Sequence, residues 1–223
     1  MSGVRQWLDQ TKSRGMKLGL ERVHAAHNIL IQSYESTIVH VAGSNGKGTV
    51  CALMATHLNR LNQTTVMFTS PHLVRLEERI RIDGVPITEK QLNSYLSRIQ
   101  ETESDLGIKL TFFEITFLTS CLCAQEHSPD VFIVETGLGG RFDATRIVPA
   151  DLCLLTSIQL EHRDILGETL AEIAAEKAAI ARPNKAMLVR EIQDTEARSA
   201  IEYDARHAGQ EYLGELPSPA SVE

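Results

Sequence analysis

The segment Gly43-Ser44-Asn45-Gly46-Lys47-Gly48-Thr49 carries the residue types needed to hold phosphate oxygens. Its glycines let backbone N–H groups come close to an anion, and Lys47 adds an ammonium able to reach the β and γ phosphates of a nucleotide. The Thr49 hydroxyl can help hold phosphate or magnesium. The apolar run before the segment and the stretch after it read as strand, turn, helix, which aims a helix amino terminus at the anion. The spacing is G-x-x-G-K-G-T rather than the usual G-x-x-x-x-G-K-[ST]. A loop that merely contains glycine and lysine is the alternative.

Ligands of open parallel sheets gather at the carboxyl ends of the strands. Strand candidates are Thr37 to Ala42, Thr65 to Thr69, Val131 to Val134, Leu152 to Ser157 and Ala186 to Val189, all short apolar runs suited to strands covered on both faces. The phosphate loop follows the first, Ser70 the second and Glu135 the third, while His162 lies a few residues beyond the fourth. If the strands are parallel, a hydroxyl, a carboxylate and an imidazole meet beside the phosphates and can share magnesium with waters and phosphate oxygens. Imidazole is an unusual magnesium ligand. Each residue taken singly also has an ordinary structural explanation: a turn at Ser70-Pro71, an arginine partner for Glu135, a packing role for His162.

Two helices should flank these strands. Thr88 to Glu101 begins with a Thr88/Gln91 capping box and carries Leu92, Tyr95, Leu96 and Ile99 on one stripe. Thr169 to Ala181 repeats the device with Thr169 and Glu172, placing Leu170, Ile173 and Ala174 on one face, which Lys177 continues. A lysine there must snorkel to solvent or find a polar partner. A further amphipathic helix is expected over Leu18 to Gln32, and Pro217 and Pro219 mark a loose end. The alternation of apolar runs with amphipathic segments predicts an α/β fold, a three-layer phosphate-loop-type domain with a largely parallel sheet.

The 223 residues, 43% hydrophobic and 23% charged, suit one substantial globular core. A net charge of -7 gives no overall attraction to nucleic acid or an acidic membrane surface. The sequence shows neither an apolar run of membrane-spanning length nor a secretory signal at its start, so the expected compartment is the cytoplasm. Cys51, Cys121, Cys123 and Cys153 lie in apolar stretches and read as buried structural thiols.

Together the motifs resemble the folylpolyglutamate and dihydrofolate synthases of the Mur ligase superfamily, ATP-dependent amide-forming enzymes. LGLERVHAAHNIL, HVAGSNGKGT, FTSPHLVRLEERIRIDGVPIT, TFFEITFL, VETGLGGRFDATR and TSIQLEHRDILGETLAEIAAEKAAI carry the resemblance in order, from about Trp7 to Gly214. The resemblance implies that residues 1–214 form an ATP-binding domain similar to the Mur ligase central domain, followed by a loose tail at 215–223. It also implies that Lys47 and the loop from Gly43 to Thr49 bind ATP, and that Ser70, Glu135 and His162 hold magnesium. Lys177 matches a lysine that is carbamylated in the superfamily and so becomes a ligand for a second metal. Thr111, Phe113, Asp143 and Ala144 match pterin-contacting positions. The implied reaction phosphorylates the carboxylate of dihydropteroate or a folate, and the amine of L-glutamate then attacks the acyl phosphate.

Two motif positions depart from the family pattern: Arg146 stands where asparagine is usual, bringing a cation toward the expected pterin pocket, and Glu161 where aspartate is usual. The family's carboxy-terminal domain is expected to be missing from this chain. Weak or absent ligase turnover by the chain alone follows, since domain closure completes such sites. A separately encoded carboxy-terminal partner, or a non-catalytic ATP- or pterin-binding remnant, is the alternative.

Overall fold

The computed structural model describes residues 3–17, 19–207 and 212–216. In chain order the elements are α1 (Gly3–Thr11), α2 (Glu21–Leu30), β1 (Thr37–Ala42), α3 (Lys47–Arg60), β2 (Thr65–Phe68), β3 (Ile80–Ile82), β4 (Val85–Pro86), α4 (Glu89–Leu106), α5 (Phe112–His127), β5 (Val131–Glu135), β6 (Leu152–Leu155), α6 (Arg163–Leu166), α7 (Leu170–Ala178), β7 (Ala186–Arg190), α8 (Thr195–His207) and β8 (Tyr212–Leu216). The chain divides into two units, one of residues 1–37 and 52–133 and one of residues 38–51 and 134–223.

In the first unit the strands run in the order β4, β3, β2, β5. β2 and β3 pair antiparallel, Val66 opposite Ile82 and Phe68 opposite Ile80. β3 turns into β4 through Asp83 and Gly84, both at positive φ (49° and 83°), as a two-residue hairpin turn requires. Thr88 caps α4, accepting from Gln91 N at 3.2 Å while Gln91 Oε1 accepts from Thr88 N at 2.9 Å. The expected stripe Leu92, Tyr95, Leu96 and Ile99 is buried. α5 is buried almost all round from Glu114 to Ala124, so its sequence shows no amphipathic period. Ion pairs tie the amino-terminal helices down: Arg14 to Glu103 at 2.9 Å and Arg22 to Glu114 at 3.1 Å.

In the second unit the order is β1, β6, β7, β8. β1 pairs parallel with β6, β6 with β7, and β7 with β8, with Val39 opposite Leu152 and Leu152 opposite Ala186. The expected α/β class with a largely parallel sheet therefore holds, and the antiparallel β2-β3-β4 meander is an addition to it. α7 begins at the expected box, Thr169 Oγ1 accepting from Glu172 N at 3.2 Å and Glu172 Oε2 accepting from Thr169 N at 3.0 Å. It ends at Ala178, earlier than the expected Ala181, where Arg182 Nη1 takes the carbonyls of Ile180 and Ala181. The expected tail from residue 215 needs correction: Glu215 and Leu216 belong to β8, paired in parallel with Val189 and Arg190, so ladder hydrogen bonds hold them in the sheet. Pro217 and Pro219 lie outside the described residues. No described helix is long and apolar enough to cross a membrane, and all four cysteines are buried thiols.

Candidate nucleotide and metal site

The site is built at the end of β1. Gly43 leaves the strand at φ 141°, and a Cβ there would lie 2.0 Å from Thr156 Oγ1 and 3.1 Å from Thr156 N, so only glycine fits. The following loop is fastened to the segment after β6. Ser44 N donates to Ser157 O at 2.8 Å, Asn45 N to Ser157 Oγ at 2.9 Å, and Thr156 Oγ1 to Asn45 O at 2.8 Å. The side chains of Ser44 and Asn45 are engaged in the same seam. Ser44 Oγ accepts from Gln159 N at 3.0 Å, and Asn45 Nδ2 donates to Gln159 Oε1 at 2.7 Å. Backbone N–H groups and side chains of both residues are thus spent in this seam. α3 starts at Lys47, so Gly46, Lys47, Gly48 and Thr49 form the amino-terminal turn whose N–H groups have no partner inside the helix.

The Lys47 ammonium folds back on the loop, donating to Gly43 O at 2.9 Å and Ser44 O at 3.3 Å. Lys177, 2% exposed, reaches the same carbonyl from α7 at 3.2 Å and pairs with Glu161 Oε1 at 2.8 Å. The lysine on the apolar helix face thus has a polar partner and does not snorkel. Burial lowers the Lys177 pKa against the opposing pull of Glu161. Burial pushes Glu161 up, but Lys177, Ser44 and Lys47 more than offset it and its pKa is lowered. Glu135, 4% exposed, ends β5 with its carboxylate oxygens 3.5 and 3.6 Å from the position of a Cβ on Gly48. Phosphate loop, Glu135, Glu161 and Lys177 therefore come together in the second unit. His162 heads α6 in the left-handed region (φ 45°, ψ 43°) and is exposed.

Loop and carboxylate together suit a hard divalent cation bound with nucleotide phosphate: Glu135 supplies a buried anionic oxygen beside the anion-holding turn. Among the described residues no three His, Cys, Asp or Glu side chains converge as a self-sufficient metal site. As an ammonium, Lys177 donates to Gly43 O and Glu161 Oε1 and offers a metal no lone pair.

The loop Gly137–Asp143 lies on the last turn of α7. A Cβ at Gly140 would sit 2.8 Å from both Glu176 O and Lys177 O, and Arg141 N donates to Glu176 O at 3.0 Å. Arg141 also pairs with Glu176 at 3.3 Å and with Asp204 at 3.0 Å. Asp143 and Ala144 are both buried. Asp143 caps a short 3-10 turn of residues 144–147, and burial raises its pKa despite four hydrogen bonds to the carboxylate. Arg146 is half-buried beside these residues. Its Nε donates to Ala179 O at 2.6 Å, satisfying a carbonyl at the carboxyl end of α7.

Ser70, Thr111 and Phe113 belong to the first unit. Ser70 follows β2 and is joined to Pro71 by a cis peptide bond. Thr111 is the amino-terminal cap of α5, its Oγ1 accepting from Glu114 N at 3.2 Å. Phe113 is half-buried with its ring 5.8 Å from that of Phe68. Sequence reasoning missed Glu161 as the partner of Lys177, Gln159 as the fastener of the loop, and Arg182 as a buried clamp. For Lys177 the signal was present, a lysine on an apolar face, but nothing in the spacing named its partner.

Strand, glycine turn and helix around Lys47, with an acidic strand end beside them, define a phosphate-loop α/β domain. The chain belongs to the Mur ligase family: residues 41–212 match the Mur ligase middle domain. It is 38% identical over 186 residues to the dihydrofolate synthase/folylpolyglutamate synthase of Escherichia coli, covering 83% of this chain and 44% of that protein. With the Bacillus subtilis protein of the same name it shares 36% over 217 residues, covering 92% and 49%. The chain thus spans about half the length of these relatives. Among solved structures, E. coli FolC in complex with DHPP and ADP superposes with a TM-score of 0.87 at 35% identity, covering 97% of this chain and 51% of that one. The bifunctional folylpolyglutamate synthase/dihydrofolate synthase of Yersinia pestis, complexed with AMPPNP and Mn ion, gives 0.85 at 34% identity, covering 96% and 52%.

Proposed function

We propose that the chain is the ATP-binding part of a ligase that joins L-glutamate to dihydropteroate or to a folate through an acyl phosphate, working in the cytoplasm. The observation that carries this reading is the Lys47 ammonium resting on the Gly43 carbonyl inside a rigidly fastened phosphate loop. An incoming phosphate offers Lys47 a charged acceptor in place of a neutral one, and charge-assisted hydrogen bonds are roughly twice as strong. The loop N–H groups of Gly46, Lys47 and Gly48 and the Thr49 hydroxyl then orient the phosphates at the start of α3. Glu135, with Ser70 and His162 as further ligands, would hold magnesium. Bound there, the ion would screen the negative charge that builds on the transferring phosphoryl group. Lys177 would hold the Gly43 carbonyl, and with it the exit from β1, in place while Lys47 moves to phosphate. Thr111, Phe113, Asp143 and Ala144 would line the acceptor side. Catalysis of this kind is positioning and charge neutralisation, with no nucleophilic side chain.

The carboxy-terminal half of such a ligase would come from further residues or from a separately encoded partner. Calorimetry tests the reading: Mg-ATP is titrated into the native chain and into Lys47→Ala, and dihydropteroate is then added. Binding by the native chain that Lys47→Ala clearly weakens supports it. A folded native chain that takes up neither ligand overturns it.

A further inference from the structure

His40 sits in β1 with no exposure to solvent and takes no part in the site described above. Its Nε2 is 2.8 Å from Thr145 Oγ1. Thr145, also fully buried, donates both its hydroxyl and, at 2.9 Å, its backbone N–H to Asp143 Oδ1. The other carboxylate oxygen accepts from Gly137 N at 3.0 Å and Leu138 N at 2.9 Å. A hydroxyl has one hydrogen, and Thr145 has committed it to Asp143. Thr145 Oγ1 can therefore only accept from the ring, and His40 must carry its proton on Nε2. Nδ1 is buried with no hydrogen-bond partner. Protonating it would bury an uncompensated charge facing the guanidinium groups of Arg182 and Arg146.

We propose that His40 is a positioning residue for Asp143: donating from Nε2, it fixes the Thr145 hydroxyl as a one-way donor and keeps the buried carboxylate a pure acceptor. The direction of this chain of hydrogen bonds follows from the contacts together with an ionised Asp143 carboxylate at its end. Its consequence for binding rests on the reading of Asp143 as an acceptor-side residue. The charged and titratable groups around the chain are Arg146 of the 3-10 turn, Arg182 beyond α7, Cys153 opposite His40 on β6, and Lys177 of α7, whose charge acts on Asp143.

The test uses the full chain as native protein, His40→Leu and His40→Gln. Long-range proton–nitrogen NMR should find the His40 ring protonated at Nε2 alone and unchanged between about pH 5 and 8. Dihydropteroate affinity measured over the same range should lose its acid limb about one pH unit earlier in His40→Leu, roughly tenfold weaker on that limb. Glutamine, whose amide N–H reaches the Nε2 position, should restore the native profile, while Mg-ATP affinity stays the same in all three. A ring protonated at Nδ1, or acid limbs that coincide, overturns the proposal. If the native chain binds no dihydropteroate, the acceptor-side reading fails on its own. Carbon NMR titration of the Asp143 carboxyl then decides: a higher midpoint in His40→Leu supports the inference and an unchanged one refutes it. Should His40→Leu not fold, Thr145→Val against Thr145→Ser makes the same comparison, with the same two outcomes.

Discussion

Lys47 and Lys177 donate to one acceptor, the carbonyl oxygen of Gly43, from 2.9 and 3.2 Å. Two ammonium groups on one carbonyl repel each other, and only the buried one pairs directly with Glu161, at 2.8 Å from Lys177. Lys47 is therefore the member free to move to phosphate. Its replacement by alanine removes one charge-assisted partner of the nucleotide and should weaken Mg-ATP binding by about 10- to 100-fold. Titration calorimetry on a variant shown to be folded checks this, and an unchanged affinity would place the nucleotide elsewhere.

The Lys177–Glu161 pair should appear in the pH dependence of stability. Glu161 has a lowered folded pKa, so it holds its proton less tightly in the folded than in the unfolded chain. Its contribution is complete above the ordinary glutamate value of about 4.3 and is lost as the pH falls through the lower folded value. Glu161→Gln should flatten that acid limb of a urea-denaturation series. Glu161 is 28% exposed, so solvent screens the pair, and a double-mutant cycle with Lys177→Met should give a coupling of about 1 kcal/mol. A cycle that closes at zero would make the pair a mere neighbour contact.

Gly43→Ala should be severe. The new methyl would overlap Thr156 Oγ1 and press on the backbone nitrogens of Thr156 and Ser157, at a φ that alanine avoids. A cost of about 3 kcal/mol or more is expected from denaturant midpoints. Thr156→Ala in the same chain should recover only part of it, because the backbone contacts remain.

The two capping boxes predict a smaller, paired effect. Thr169→Ala and Thr88→Ala each remove an amino-terminal cap and should cost about 1 kcal/mol in stability. Only the first frees the start of the helix that carries Lys177, so only the first should also weaken Mg-ATP binding. Equal losses of affinity in both variants would break the link between α7 and the phosphate loop.

What could be read from the sequence was what is local. The strand before Gly43, the boxes at Thr88 and Thr169 and the stripe on α4 rest on contacts within a few residues, and they fall where expected. The hairpin of β3 and β4 has only five strand residues, too few for an alternation of apolar and polar positions to show. α5 is buried almost all round and so carries no amphipathic period by which spacing alone could mark it. Thr111 has the residue type of a site and the position of a cap. The partners Glu161, Gln159 and Arg182 engage residues far from them in the chain or on another element, a relation that spacing does not encode. Arg146 illustrates the reverse: its charge was visible, and its destination at Ala179 O was not.

The contact at Gly140 reaches further than the glycine itself. With the peptide carbonyls of Glu176 and Lys177 both 2.8 Å from where a side chain would begin, the loop and the lysine-bearing turn leave no room for an atom between them. The two segments must therefore change as one inherited unit: a relative with a bulkier residue in this loop has to carry a displaced α7, and with it a displaced lysine.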